Sequence, residues 1–78
     1  MKDKILKILE QVLNENITHL KDDDIIPDKL ENWDSLKHLS LITALEDEFN
    51  IILSPEEIIH MNRGLKYIID TLIKHGVN

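Results

Sequence analysis

Apolar side chains return every three or four residues in three separate stretches of this 78-residue chain, each bracketed by residues that start or stop helices. Ile5, Ile8, Leu9, Val12 and Leu13 mark the first stretch and predict a helix over about 2–15, with Leu6 beside its apolar stripe. Leu41, Ile42, Leu45 and Phe49 mark the second, over 35–49, with His38 on the same face. Leu65, Ile68, Ile69, Leu72 and Ile73 mark the last, over about 65–75, where Gly76 stops it. Between the second and last, Ser54-Pro55-Glu56-Glu57 spells a capping box with proline at the first helical position. A short helix is expected there over 55–61, with Ile58, Ile59 and Met61 partly buried, ended by Asn62-Arg63-Gly64. A strand at 51–53 would have no second strand to pair with.

Such stripes are buried by packing helix on helix. The expected fold is all-α: a four-helix bundle of three longer helices and a short third one. A single domain over 1–78 is expected, since a chain of this length has room for one core. Residues 16–34 form a long connection between helices 1 and 2, with Ile17, Leu20, Ile25, Ile26 and Leu30 as anchors. Connections of this length are usually functional or held by their own packing. Its run Asp22-Asp23-Asp24 lacks the alternating acids, glycine and distal glutamate of a calcium loop, so a solvated turn is expected and no metal site.

The charge is uneven. Residues 22–57 hold eleven acids against Lys29 and Lys37, a local balance of −9 within a net charge of −6. That field repels nucleic acid and anionic membranes and steers basic protein surfaces toward the middle of the chain; acids that merely keep a small domain soluble would look the same. No apolar run approaches the roughly 20 residues that cross a bilayer. Met1-Lys2-Asp3-Lys4 alternates charge and lacks the apolar block of a secretory signal. A cytoplasmic monomer, neither inserted in a membrane nor bound to nucleic acid, is the expectation.

Catalytic chemistry is hard to assemble from these residues. Without cysteine there is no thiol nucleophile, disulfide or thiolate metal site. His19, His38, His60 and His75 sit on different elements, and His38, on a core face, reads as a hydrogen-bonded packing residue. Asp34 and Ser35, adjacent at a helix start, cannot position one another as a triad does. No enzyme is expected.

Asp34-Ser35 reads in two ways. It is a helix cap worth about 1 kcal/mol, or it presents the Ser35 hydroxyl for modification, where the unpaired N–H groups and partial positive charge of a helix start favour a phosphate ester. Both hold if Asp34 caps and Ser35 is presented. Leu36 and Leu39 lie opposite the core face with Ser40, Thr43 and Asp47. They form either a contact surface for partners or a patch covered by the long connection.

Trp33-Asp34-Ser35-Leu36, then Leu41-Ile42-x-Ala44-Leu45-Glu46-Asp47-Glu48-Phe49, then Ser54-Pro55-Glu56-Glu57-Ile58, resembles the phosphopantetheine-binding acyl carrier protein family over nearly the whole chain. The resemblance implies that Ser35 receives 4′-phosphopantetheine from coenzyme A through a phosphodiester, installed by a separate magnesium-dependent phosphopantetheinyl transferase. Asp34 would assist recognition of the serine, and Leu36 would be an exposed contact, with Leu39, Thr43 and Asp47 completing the partner-recognition face. The arm's thiol would carry acyl or aminoacyl groups as thioesters from a loading ligase to an acyltransferase or synthase. Ile42, Leu45, Ile59 and Ile68 would line an interior able to accept the start of an acyl chain.

This chain departs from the carriers of bacterial fatty acid synthesis at several points. Lys37, Ser40 and Thr43 replace their acids and methionine after the serine, Glu31-Asn32-Trp33 replaces the usual Leu-Gly-x, and Gly64 stands in place of a bulky apolar residue. A stand-alone carrier in a dedicated pathway of secondary or cell-surface metabolism is the implied role. The alternative is a non-covalent helical interaction module that uses the Leu36/Leu39 face.

Overall fold

The computed structural model describes residues 1–77. It is all-helical: α1 (Lys2–Leu13), α2 (Ser35–Phe49), α3 (Pro55–Met61) and α4 (Leu65–Lys74), with a 3-10 turn at Asp22–Asp24 in the long connection. Among the described residues there is no strand, and 51–53 is extended chain. α1 packs on α2, α3 on α4, and α4 on the 3-10 turn.

Two helices stop on asparagine in the left-handed conformation. Asn14 (φ 54°) donates its N–H to the Glu10 carbonyl, and Asn50 (φ 53°) to that of Glu46. α1 therefore ends two residues before the expected boundary, and α4 ends one residue early, with the His75 N–H folded back on Thr71 and Leu72. The aspartate run is a turn, but a more ordered one than expected. Lys2 pairs with Asp22 at 2.8 Å, Lys29 with Asp24 at 2.6 Å, and Lys66 with Asp23. Each lysine comes from a different segment, so three weak surface pairs tie α1, the connection and α4 to one turn.

The core is aliphatic. Ile5, Leu9 and Leu13 meet Leu41, Ile42 and Leu45 across the first helix pair, and Met61, Leu65, Ile68 and Leu72 close the other side. The connection contributes buried Ile17, Ile25, Leu30 and Trp33, with Leu20 half-buried against the core and Ile26 half-buried beside Gly64. Each fully buried aliphatic side chain stabilises the fold by about 1.5–3 kcal/mol. Ile73 is exposed, because Leu65, Ile68 and Leu72 already supply the inward stripe of α4. Ile59 is 72% exposed instead of partly buried: in a seven-residue helix Met61 takes the inward position, Ile58 the flank, and Ile59 faces out.

The connection is fixed by polar side chains that reach backbone. Glu10 accepts from the Ile17 N–H at 3.0 Å, and the Asn32 amide donates to the Leu13 carbonyl at 3.0 Å, one of the carbonyls a helix end leaves open. In the segment after α2, the Glu46 carboxylate accepts from the Leu53 N–H at 2.9 Å. At the α3–α4 junction Gly64 has φ 139°, and a Cβ there would lie 2.6 Å from Ile26 Cγ2 and 3.0 Å from the Ile25 carbonyl oxygen. Next to it the Leu65 N–H donates to that same carbonyl at 2.9 Å. A glycine stands here because the backbones of the connection and of α4 must meet.

Candidate functional site

Asp34 has extended backbone, and its Oδ1 accepts from the Lys37 N–H at 2.9 Å, while its carbonyl takes the His38 N–H at 2.8 Å. Asp34 is therefore the cap of α2. Ser35, the first helical residue, is exposed, and the capping of the helix does not consume its hydroxyl. The N–H groups of Ser35 and Leu36 precede the intrahelical ladder and remain at the positive end of the helix.

The other serines differ. Ser54 Oγ accepts from the Glu57 N–H as the cap of α3, and Ser40 lies inside α2. Leu36 is 76% exposed and Leu39 56%, so the long connection does not cover them. Thr43, whose hydroxyl donates to the Leu39 carbonyl at 3.1 Å, and Asp47 are also exposed. The residues singled out on the outer face of α2 thus share one open surface around Ser35.

Beneath that surface lies a group that sequence reasoning only half anticipated. His38 is buried, as expected of a packing residue, but its partners are Trp33 and α3. The Trp33 indole Nε1–H donates to His38 Nδ1 at 3.1 Å, and His38 Nε2 lies 2.8 Å from the Ile58 carbonyl oxygen. An indole N–H can only donate, so Nδ1 must accept and the ring proton sits on Nε2, facing the carbonyl. The lone tryptophan placed five residues before a core-face histidine was the available signal.

α3 is held at its other end by a reciprocal capping box: the Glu57 carboxylate accepts from the Ser54 N–H at 2.9 Å. Its second oxygen lies 2.7 Å from His75 Nε2 at the end of α4. The Ser54 N–H, with His75 contributing less, holds Glu57 below the usual carboxylate range against the opposing effect of partial burial.

The interior differs from the expected acyl-accepting lining. Ile42, Leu45 and Ile68 are packed into the closed core, while Ile59 faces outward and lines nothing inside. A cavity of about 400 Å3 lies between the aspartate turn and the α3–α4 junction, lined by Asp22, Asp23, Ile26, Arg63, Gly64, Lys66 and Tyr67, with no residue of α2. Among the described residues no cluster of metal-ligating side chains occurs, and no helix is long and apolar enough to cross a membrane. An exposed hydroxyl beside unpaired N–H groups at a helix start suits a phosphodiester, so the residues present fit such a group.

The family model described as "Phosphopantetheine attachment site" matches residues 3–72. An acyl carrier protein from Cyanidium caldarium is 30% identical over 77 residues, covering 91% of this chain and 90% of that protein. No solved structure matches significantly.

Proposed function

The chain belongs to the phosphopantetheine attachment family, whose members carry 4′-phosphopantetheine covalently, and from that premise we propose that Ser35 is the residue that bears it. The family makes the chain a carrier and not a catalyst, working with partner enzymes. The observation that supports Ser35 is the division of labour at the start of α2: Asp34 makes the cap, and the neighbouring hydroxyl stays exposed. Ser54, by contrast, spends its hydroxyl on a cap.

When bound, the group supplies a thiol that holds acyl or aminoacyl units as thioesters, which a chain without cysteine lacks. The roles of this chain's residues follow from their positions. Asp34 keeps the first turn formed, so that the Ser35 oxygen is offered at a defined point. Leu36, Leu39, Thr43 and Asp47 form the face read by the transferase, the loading ligase and the receiving acyltransferase or synthase. Lys37 places a positive charge beside Ser35, which fits partners of a dedicated biosynthetic pathway. Such a carrier would work in the cytoplasm.

Incubation with coenzyme A, magnesium and a promiscuous phosphopantetheinyl transferase should add one phosphopantetheine to the intact mass of the wild-type protein and none to Ser35→Ala. No gain in wild type, or a gain that survives in Ser35→Ala, contradicts the assignment. The exposure of Leu36 and Leu39 also suits a non-covalent interaction module. In that case Ser35→Ala would keep partner binding and cellular function, and Leu36→Asp would abolish both.

A further inference from the structure

His38 stands out from the core around it. Two polar side chains are buried in the described structure: Thr71 bonds within its own helix, and His38 joins three elements. A leucine at that point of the α2 stripe would cost no desolvation, whereas a buried imidazole is tolerated only when both nitrogens are satisfied. Both are. Its donor partner, Trp33, immediately precedes the Asp34-Ser35 pair, and His38 lies one turn beyond Ser35. Its acceptor partner, the Ile58 carbonyl, is the first of the four that a helix ending at Met61 leaves open. The three that follow are met by the N–H groups of Asn62, Arg63 and Gly64. His38 is thus a remote cap for α3 and, through its other nitrogen, an anchor for the loop that delivers Ser35.

We propose that His38 is a positioning residue for Ser35: the Trp33–His38–Ile58 hydrogen-bond chain locks the Ser35 turn to α3, so that partners meet it in one arrangement. The inference rests on the reading of Ser35 as the attachment site. Breaking the chain would leave the fold but reduce the fraction of molecules with the Ser35 turn in place, and the apparent affinity of any partner falls by that fraction.

The test uses His38→Leu, which keeps apolar volume but bonds to neither partner, Trp33→Phe, which removes the indole donor together with part of a buried ring, and His38→Gln, whose amide both accepts and donates. With a phosphopantetheinyl transferase, His38→Leu and Trp33→Phe should raise KM for the carrier about three- to tenfold at unchanged kcat, and His38→Gln should lie near wild type. In hydrogen exchange followed by NMR, the Lys37 and His38 amides should lose protection in His38→Leu and keep it in His38→Gln, while the amides of α4 stay protected in both. The inference is overturned by a wild-type KM in folded His38→Leu, by equal defects in the Leu and Gln variants, or by unchanged exchange at Lys37 and His38. If wild-type protein accepts no phosphopantetheine, the attachment reading fails by itself, and the exchange rates alone decide whether the chain of bonds holds the Ser35 turn.

Discussion

At position 34 a single carboxylate determines what position 35 is free to do. With Asp34 Oδ1 on the Lys37 N–H, the helix start is satisfied without the serine. Asp34→Ala should therefore cost about 1 kcal/mol in urea unfolding, and Ser35→Ala much less, because Ser35 is not the cap. A reversed order would show that the serine carries the helix start. Gly64 is the other residue whose identity the backbone dictates. Gly64→Ala should destabilise by about 1–3 kcal/mol, through the forced positive φ and the clash with Ile26 and the Ile25 carbonyl; an unchanged unfolding midpoint would contradict the close approach. That a helix starts on a cap at Asp34-Ser35 was legible, since a cap is a local pattern, but which of the two makes it was left open until the structure placed it on Asp34. The bond from Trp33 to His38 was not legible, because it depends on how the connection folds back, and no local rule supplies that.

At the scale of elements, α3 is a seven-residue helix held at both ends by side chains. Glu57 closes its first turn and reaches His75, and its carboxyl is held below the usual range, chiefly by the Ser54 N–H. A carboxylate with a depressed pKa in the folded protein adds stability that is fully present above its unfolded pKa, roughly 4.3, and is lost as pH falls through the lower folded value. Glu57→Gln should thus be less stable than wild type at pH 7 by about 1 kcal/mol, with the gap closing below roughly pH 4. A gap that is constant with pH would remove the charge from the account. The capping box was readable at Ser54-Pro55-Glu56-Glu57 because it is short and directional. Ile59 and Ile73 misled because helical spacing tells which residues share a side, and a helix this short, or a stripe already filled, leaves one of them outside. The order of the 3-10 turn in the aspartate run was hidden for a different reason: two of the three lysines that steady it, Lys2 and Lys66, come from helices far off in the sequence.

Across the whole molecule, negative charge is concentrated in residues 22–57, a stretch with a balance of −9 that includes the exposed Ser35–Asp47 face. If that field steers basic partners, association with a phosphopantetheinyl transferase should slow as salt rises, because exposed charges are screened over about 8 Å at physiological ionic strength. Lys37→Glu should speed association at low salt, and a rate indifferent to both changes would remove the steering role. The four-helix arrangement was legible because apolar stripes at helical spacing are buried by packing helix on helix, whereas the α1–α2 and α3–α4 pairing was not, since a stripe does not name its partner. The central claim is narrower than the fold: among three serines, Ser35 alone is modified. Peptide mapping by tandem mass spectrometry, after treatment with coenzyme A and transferase, tests this most directly. The account predicts the whole phosphopantetheine mass on the peptide fragment containing Ser35, with Ser40 and Ser54 unmodified. Modification found on either of those residues, or on none, would contradict it.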